Sequence, residues 1–247
     1  MSLESIRSAL GTAGFNLTGA LPAAEYDARV PEPWRSARVH PVCRGVIIVG
    51  NGGRSLWPIF SASPEARLRR NPLDSYTHRV LHDVAAGDAA SFALYSDKRE
   101  GQYLPLVALA ERAGFGSPGR VGVLIHPEYG PWISIRGALF LNRALEFEPP
   151  AAFDPCRGCP APCAAACHGG VVGPRTVDVE GCFRTKLLDR RCRSACDARS
   201  ACVVGPEHAF SVEQIAHHSR IRWRPAMLRQ AARTLLTAER RSSWRSR

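Results

Sequence analysis

The chain has 247 residues, 45% of them hydrophobic, and a formal net charge of +11. That is enough apolar material for one large domain or two small ones, and no stretch approaches the ~20 uninterrupted apolar residues a membrane helix needs. Met1 to Arg7 has no basic region followed by an apolar run, so a secretory signal is not expected and a cytoplasmic, reducing setting is.

Residues 2–13 predict a short amphipathic helix ending at Gly11 or Gly14. Gly45 to Gly50 is an apolar run between turn residues, which predicts a buried strand. Gly50-Asn51-Gly52-Gly53 after it reads as a turn, since it lacks the rest of either phosphate-loop fingerprint. Ser55 to about Ala66 predicts a helix confined by Pro58 and Pro64, and Asp74 to Ala86 a second one, with Asp74 as its N-cap. Ser91 to Tyr95 predicts a strand, and Leu104 to Ala113 a helix with Pro105 in its first turn. Two β-rich runs, 120–126 and 132–141, flank Pro127-Glu128-Tyr129-Gly130 and read as a hairpin. Cys43 reads as a small buried hydrophobe, and His217-His218 as exposed helix surface.

Strands alternating with helices indicate an α/β domain over 1–147, with Glu148-Pro149-Pro150 as the boundary. A cysteine-rich module over 151–206 and a basic helical tail over 207–247 follow, the last helix running from Val212 to about Arg241. Only Lys98 and Lys186 are lysines, and nine arginines against Glu239 occupy 220–247. Such an end can bind nucleic acid or an acidic partner, or be a solvated helix face.

Eight of nine cysteines fall between 156 and 202: Cys156, Cys159, Cys163 and Cys167, then Cys182, Cys192, Cys196 and Cys202. Without a secretory signal this crowding points to metal or redox chemistry rather than disulfides. Thiolates suit zinc and iron–sulfur clusters alike. Two sets of four match two-cluster ferredoxins, where one cysteine of a run crosses to the other cluster. The spacing departs from the bacterial pattern, with three residues between the second and third cysteines and no proline after Cys167 or Cys202. Two clusters, one cluster and zinc therefore all stay open, although the compact run lacks the well-separated pairs usual for zinc.

Gly122-Val-Leu-Ile-His-Pro-Glu-Tyr-Gly-Pro-Trp-Ile-Ser-Ile-Arg-Gly-Ala-Leu139 resembles the cobalamin-processing (cyanocobalamin decyanase and dealkylase) family, with its I-H-P-x-[FY]-G-x-W-x-x-I-R-G segment. It also resembles epoxyqueuosine reductase, a cobalamin and iron–sulfur enzyme acting on tRNA, up to the tyrosine–glycine turn. Pro72-Leu73-Asp74 resembles the P-V-D of the former family, and Asp74 to Leu81 the D-Y-H-K-V-L of the latter, whose aspartate is the proposed proton donor. Ala110 to Gly116 is similar to the A-x-R-A-G-x-G before the reductase hairpin, and Thr176 to Cys182 to its T-V-D-x-x-x-C. All eight cysteines follow in the reductase order.

The resemblance implies a nitroreductase-like α+β domain, then a ferredoxin-like iron–sulfur module and a C-terminal helix. It implies two 4Fe-4S clusters on the eight cysteines, cobalamin or another corrinoid near His126, Tyr129, Trp132 and Arg136, and Asp74 as the candidate catalytic acid. Read from the residues themselves, His126 serves either the corrin or the turn, and Trp132 and Tyr129 suit a core. Arg136 lies in an apolar run and must be paired or functional. The expected activity is an oxidoreductase that removes the upper ligand of cobalamin reductively or depends on cobalamin, drawing electrons from a ferredoxin or flavodoxin. An epoxyqueuosine-reductase-like enzyme and a non-catalytic electron-transfer protein are the alternatives. The reductase's helical-repeat extension has no counterpart in the 45 residues after Cys202, so tRNA is expected to be an unlikely partner, and no membrane is expected.

Overall fold

The computed structural model describes residues 2–88 and 90–219; the arginine-rich stretch after Ser219 lies outside the described residues. The chain order is α1 (Leu3–Thr12), β1 (Leu17–Pro22), α2 (Ala23–Asp27), α3 (Ser36–Val39), β2 (Gly45–Gly52), α4 (Leu56–Ala62), α5 (Pro72–Asp88) and β3 (Ser91–Leu94). Next come the short pair β4 (Lys98–Arg99) and β5 (Gln102–Tyr103), α6 (Leu106–Arg112), the short pair β6 (Ser117–Pro118) and β7 (Leu124–Ile125), and β8 (Ile133–Leu141). The cysteine segment adds α7 (Pro162–Ala165), α8 (Val179–Leu188), α9 (Arg190–Ser194) and α10 (Asp197–Ser200), and α11 (Val212–Ser219) ends the described chain.

The architecture is mixed α/β. Its central sheet has the order β1-β2-β8-β3, and each of its pairings is antiparallel. β2 is buried along its whole length because both sheet faces are covered. On one face Ile47, Val49, Leu139 and Leu141 pack with Ile6 and Leu10 of α1, Phe60 of α4 and Leu81 of α5. On the other, Val46, Ile48, Ala138 and Phe140 pack with Tyr26 of α2, Trp34 and Leu109 of α6. The polar ends of two of these aromatics are satisfied inside: the Tyr26 hydroxyl donates to the Trp34 carbonyl at 2.7 Å, and the Trp34 indole to the Gln102 carbonyl at 2.9 Å.

Several sequence expectations are corrected. The helix expected from Asp74 begins at Pro72, so Asp74 sits inside the first turn of α5 and is not its N-cap. Pro105 is the N-cap of α6 rather than a residue of its first turn. Among the described residues the two runs expected to form a hairpin do not pair; the isolated bridge between His126 and Gly130 closes only the turn between them. β7 pairs with β6 instead, and β8 enters the sheet between β2 and β3. There the apolar run is covered on both faces, which a lone hairpin cannot offer. Gly50-Asn51-Gly52 is not a turn but the end of β2, and Asn51 is wholly buried.

The β2–β8 register contains a bulge that positions the site. Val49 faces Gly137 and Gly50 faces Ile135, which leaves Arg136 as the extra residue on β8. A bulge of this kind re-aims a side chain relative to strict alternation. Ile133 and Ile135 consequently pack on the α6 side, while Arg136 has Asp74 of α5 as its electrostatic neighbour. No helix among the described residues is long and apolar enough to cross a membrane.

Candidate functional site

The cysteines lie in a segment of short capped helices. The Cys156 amide donates to Asp154 Oδ1 at 3.2 Å, and the Cys159 sulfur accepts from the Ala161 amide at 3.4 Å. Ala161 takes a left-handed conformation, φ 57°, and turns the chain into α7, which carries Cys163. Asp178 caps α8, which holds Cys182, and Asp189 caps α9, which holds Cys192. Cys196 and Cys202 bracket α10, which packs on α7. Among the described residues the β pairing of this segment is the single bridge Val172–Val177.

All nine cysteines are free thiols. Their electrostatic neighbours sort the eight into two quartets. Cys163 faces Cys156 and Cys159, and Cys202 faces all three. Cys182 faces Cys196 and Cys167, and Cys192 faces Cys196, Cys167 and Cys182. The first quartet is therefore Cys156, Cys159, Cys163 and Cys202, and the second Cys167, Cys182, Cys192 and Cys196. The last cysteine of each run crosses to the other run's group. Burial, and then the neighbouring thiols, push up the thiols of Cys163 and Cys182. Burial also raises Cys192 and Cys202, with other cysteines adding to the shift. The first quartet lines an apolar cavity closed by Gly119, Arg120 and Val121, between β6 and β7, and by Ile125 of β7. In the second, Cys182 and Cys196 are exposed. Among the described residues no three His, Cys, Asp or Glu side chains are drawn together tightly enough for a single metal ion.

The segment docks on the loop before β8. His126 shapes that loop: its Nδ1 accepts from the amides of Glu128 at 3.0 Å and Tyr129 at 3.2 Å, and burial lowers its pKa. Tyr129 packs against His126 and His208, with its hydroxyl near Asn16. Gly130 has φ +55°, and a Cβ there would collide with the Val204 carbonyl, so the two backbones approach directly. Arg199 of α10 donates from Nε to the Pro131 carbonyl at 3.0 Å and lies over the Trp132 and Phe210 rings, 4.9 Å from each centroid.

A second centre lies where β2 ends and β8 begins. Burial lowers the Arg136 guanidinium to about 10, opposed by Asp74 and Tyr95, so it stays charged at neutral pH. His218 of α11 is held down to about 3 by burial, then by Arg136, His217 and Arg199, and is neutral. His217 and His218 are not exposed surface: their rings contact Trp57, Phe60 and Phe210. Trp132, Cys196, Arg199, Phe210 and His218 line one small cleft. Asn51 Oδ1 and Nδ2, Trp132 Nε1, Arg136 Nε and Gln214 Oε1 are buried without a hydrogen-bond partner. Buried orphans of this kind call for an explanation, such as a missing ligand or water. The structure thus brings Asp74 to Arg136 and leaves His126 and Tyr129 in the turn. Sequence reading missed Asn51, Gln214 and His218; a single polar side chain in the otherwise apolar and glycine run of β2 was the signal for Asn51.

No family model matches the chain. It is 35% identical over 163 residues to an epoxyqueuosine reductase of Shewanella oneidensis, which covers 65% of this chain and 38% of that protein. It is 44% identical over 64 residues to the epoxyqueuosine reductase of Listeria monocytogenes, 26% of this chain and 16% of that one. The chain thus spans well under half the length of either relative. Among solved structures, an epoxyqueuosine reductase with an epoxyqueuosine-modified tRNA stem loop has a TM-score of 0.54 at 15% identity, over 86% of this chain and 68% of that one. A C. elegans B12-trafficking protein, CblC, has a TM-score of 0.53 at 10% identity, over 88% of this chain and 91% of its own. These likenesses establish a shared fold, and the sequence likeness is to epoxyqueuosine reductases; the cobalamin-processing side of the resemblance is supported through the fold alone. The expectation that tRNA is an unlikely partner is overturned, because the sequence relatives are epoxyqueuosine reductases and a protein of this fold is seen with a tRNA stem loop.

Proposed function

We propose that the chain is an epoxyqueuosine-reductase-like oxidoreductase that reduces a modified nucleoside in tRNA, using two four-iron clusters and a corrinoid. One observation carries the reading: eight cysteines form two interleaved quartets in a chain whose sequence likeness is to epoxyqueuosine reductases. The cobalamin-processing reading takes second place, since its support is a shared fold at 10% identity.

Each quartet suits a cluster better than zinc. Zinc sites are usually built from well-separated pairs, whereas each quartet here takes three cysteines from one run and the fourth from the other. A cationic iron core would bind the sulfurs as thiolates and offset their mutual repulsion, with the thiol protons released to solvent. Cys156, Cys159, Cys163 and Cys202 would hold one cluster, and Cys167, Cys182, Cys192 and Cys196 the other.

The orphaned polar atoms favour a large polar ligand at the end of the sheet. An indole N–H, a guanidinium and two side-chain amides match the amide fringe of a corrinoid, with Trp132, Arg136, Asn51 and Gln214 as its contacts. When bound, such a cofactor supplies a strongly reducing metal centre, and the clusters supply electrons singly. Reducing an epoxide takes two electrons and two protons. Asp74 supplies one proton to the departing oxygen and solvent the second, so that it leaves as water, and Arg136, still charged, stabilises the negative charge that develops there. The net charge of +11 favours tRNA phosphates.

The test uses protein purified without oxygen and loaded with cobalamin. Given a low-potential reductant, it should convert epoxyqueuosine in tRNA to queuosine. Protein with about eight irons that leaves the nucleoside intact, yet strips cyanide from cyanocobalamin, returns the cobalamin-processing reading to first place.

A further inference from the structure

Each cysteine quartet has a half-buried arginine beside it, and neither arginine is ion-paired among the described residues. Arg120 lines the cavity of the first quartet, where its Nη2 donates to the Cys156 carbonyl at 3.4 Å and its Nε is buried without a partner. Arg199 lines the cleft that Cys196 of the second quartet enters, between the Trp132 and Phe210 rings. Burial lowers its guanidinium to about 10, and Cys196 is the neighbour that opposes the shift.

An isolated cation in a low-dielectric wall is expensive unless something anionic accompanies it. Reduction of a four-iron cluster adds one electron and no proton, so the cluster gains a negative charge. A nearby buried cation favours that state, and solvent screens it little. The other charges facing the second quartet include Lys186 near Cys182 and Asp189 near Cys192. Lys186 is half-buried, and Asp189 is already matched by Arg191 at 2.8 Å. Arg199 is the cation next to that quartet that is enclosed by aromatic rings.

We propose that Arg120 and Arg199 are positioning residues that raise the reduction potentials of the two clusters independently, Arg120 acting on the first quartet and Arg199 on the second. The proposal rests on the cluster assignment above. It gives the protein a means of ordering two electrons between neighbouring clusters without changing a ligand.

Anaerobic redox titration with a chemical one-electron reductant, followed by electron paramagnetic resonance, separates the two. Cys163→Ala and Cys192→Ala first assign each reduced-cluster signal to its quartet. Arg120→Gln should then lower the first signal's midpoint alone, and Arg199→Gln the second's alone. Each shift should amount to about a tenfold loss in the reduction constant, ~59 mV for one electron. An arginine that serves only to clip segments together would lower stability and leave both midpoints in place, which overturns the proposal. So does a variant that moves both signals equally. Where a Gln variant fails to retain iron, the Met variant at that position decides, because it keeps the length of the side chain and removes the charge. A downward shift confined to the same signal supports the proposal, and no shift overturns it. Wild-type protein without two such signals overturns the cluster reading itself, and the tuning with it.

Discussion

His168 Nε2 lies 2.5 Å from Asp197 Oδ2, a contact across 29 residues that joins the position after Cys167 to the position after Cys196. Both cysteines belong to the second quartet, so the pair fixes the distance between two of its ligands from outside. Asp197→Ala should leave the fold intact but make the second cluster labile. The expected outcome is loss of up to half the iron under mild chelation, with the first quartet's share retained. Equal retention in variant and wild type would show that the contact has no bearing on assembly.

The crossing of the quartets sets a pattern for paired substitutions. Cys156→Ala and Cys202→Ala lie 46 positions apart but serve one quartet, so the double variant should lose no more iron than either single one, about half. Cys156→Ala with Cys167→Ala lie close in sequence yet serve different quartets, and together should lose nearly all of it. Iron and acid-labile sulfide analysis reads the result. A grouping by sequence run, with Cys156 and Cys167 equivalent, contradicts the arrangement.

Much of this arrangement was legible in the sequence, and what was not has physical causes. Apolar runs announced β2, β8 and α5 because burial on both faces, or one stripe at helical spacing, is a local pattern. The eight cysteines set their segment apart by residue type alone. β1 was missed because Leu17–Pro22 contains glycine and proline and is held by pairing with β2, a tertiary effect. The expected hairpin failed for a similar reason: a Pro/Gly loop shows that the chain turns, but not which strand it then joins. Arg136 could be flagged as a charge in an apolar run, whereas its placement beside Asp74 depends on a bulge that no local pattern reveals.

His218 makes stability depend on pH. Its folded pKa, about 3, lies below the ordinary value of 6.5, so the unfolded chain binds the proton more readily than the folded one. Stability is fully present above pH 6.5 and falls as the pH drops from there toward 3. His218→Gln removes the titrating group and should flatten this part of the curve. Denaturant midpoints of wild type and variant between pH 7.5 and ~5 check it. Parallel curves would show that His218 is not the group responsible.

Gly130 is where the cysteine segment meets the loop before β8. Gly130→Ala combines a left-handed backbone, φ +55°, with a Cβ directed at the Val204 carbonyl. The strain should cost about 2 kcal/mol or more. Because Val204 lies two residues after Cys202, the damage should reach the first quartet, and thermal melting and iron content should fall together. Gly101→Ala, also at positive φ but with open space around it, should cost less and leave the iron unchanged.

Arg136 separates stability from activity. A buried guanidinium whose Nε lacks a partner is costly to fold, and an apolar side chain of similar length removes that cost. Arg136→Met should therefore melt at the wild-type temperature or above. If the guanidinium stabilises negative charge during the reaction and holds Asp74 in place, the same variant should lose at least 100-fold in turnover, with iron content unchanged. Asp74→Asn should lose activity to a similar degree, and the double variant little more, because two groups acting on one step are not additive. Turnover of epoxyqueuosine-containing tRNA, measured alongside thermal melting, decides between the roles. An Arg136→Met protein that is both destabilised and fully active would place Arg136 among the structural residues and leave Asp74 without the neighbour on which its role depends.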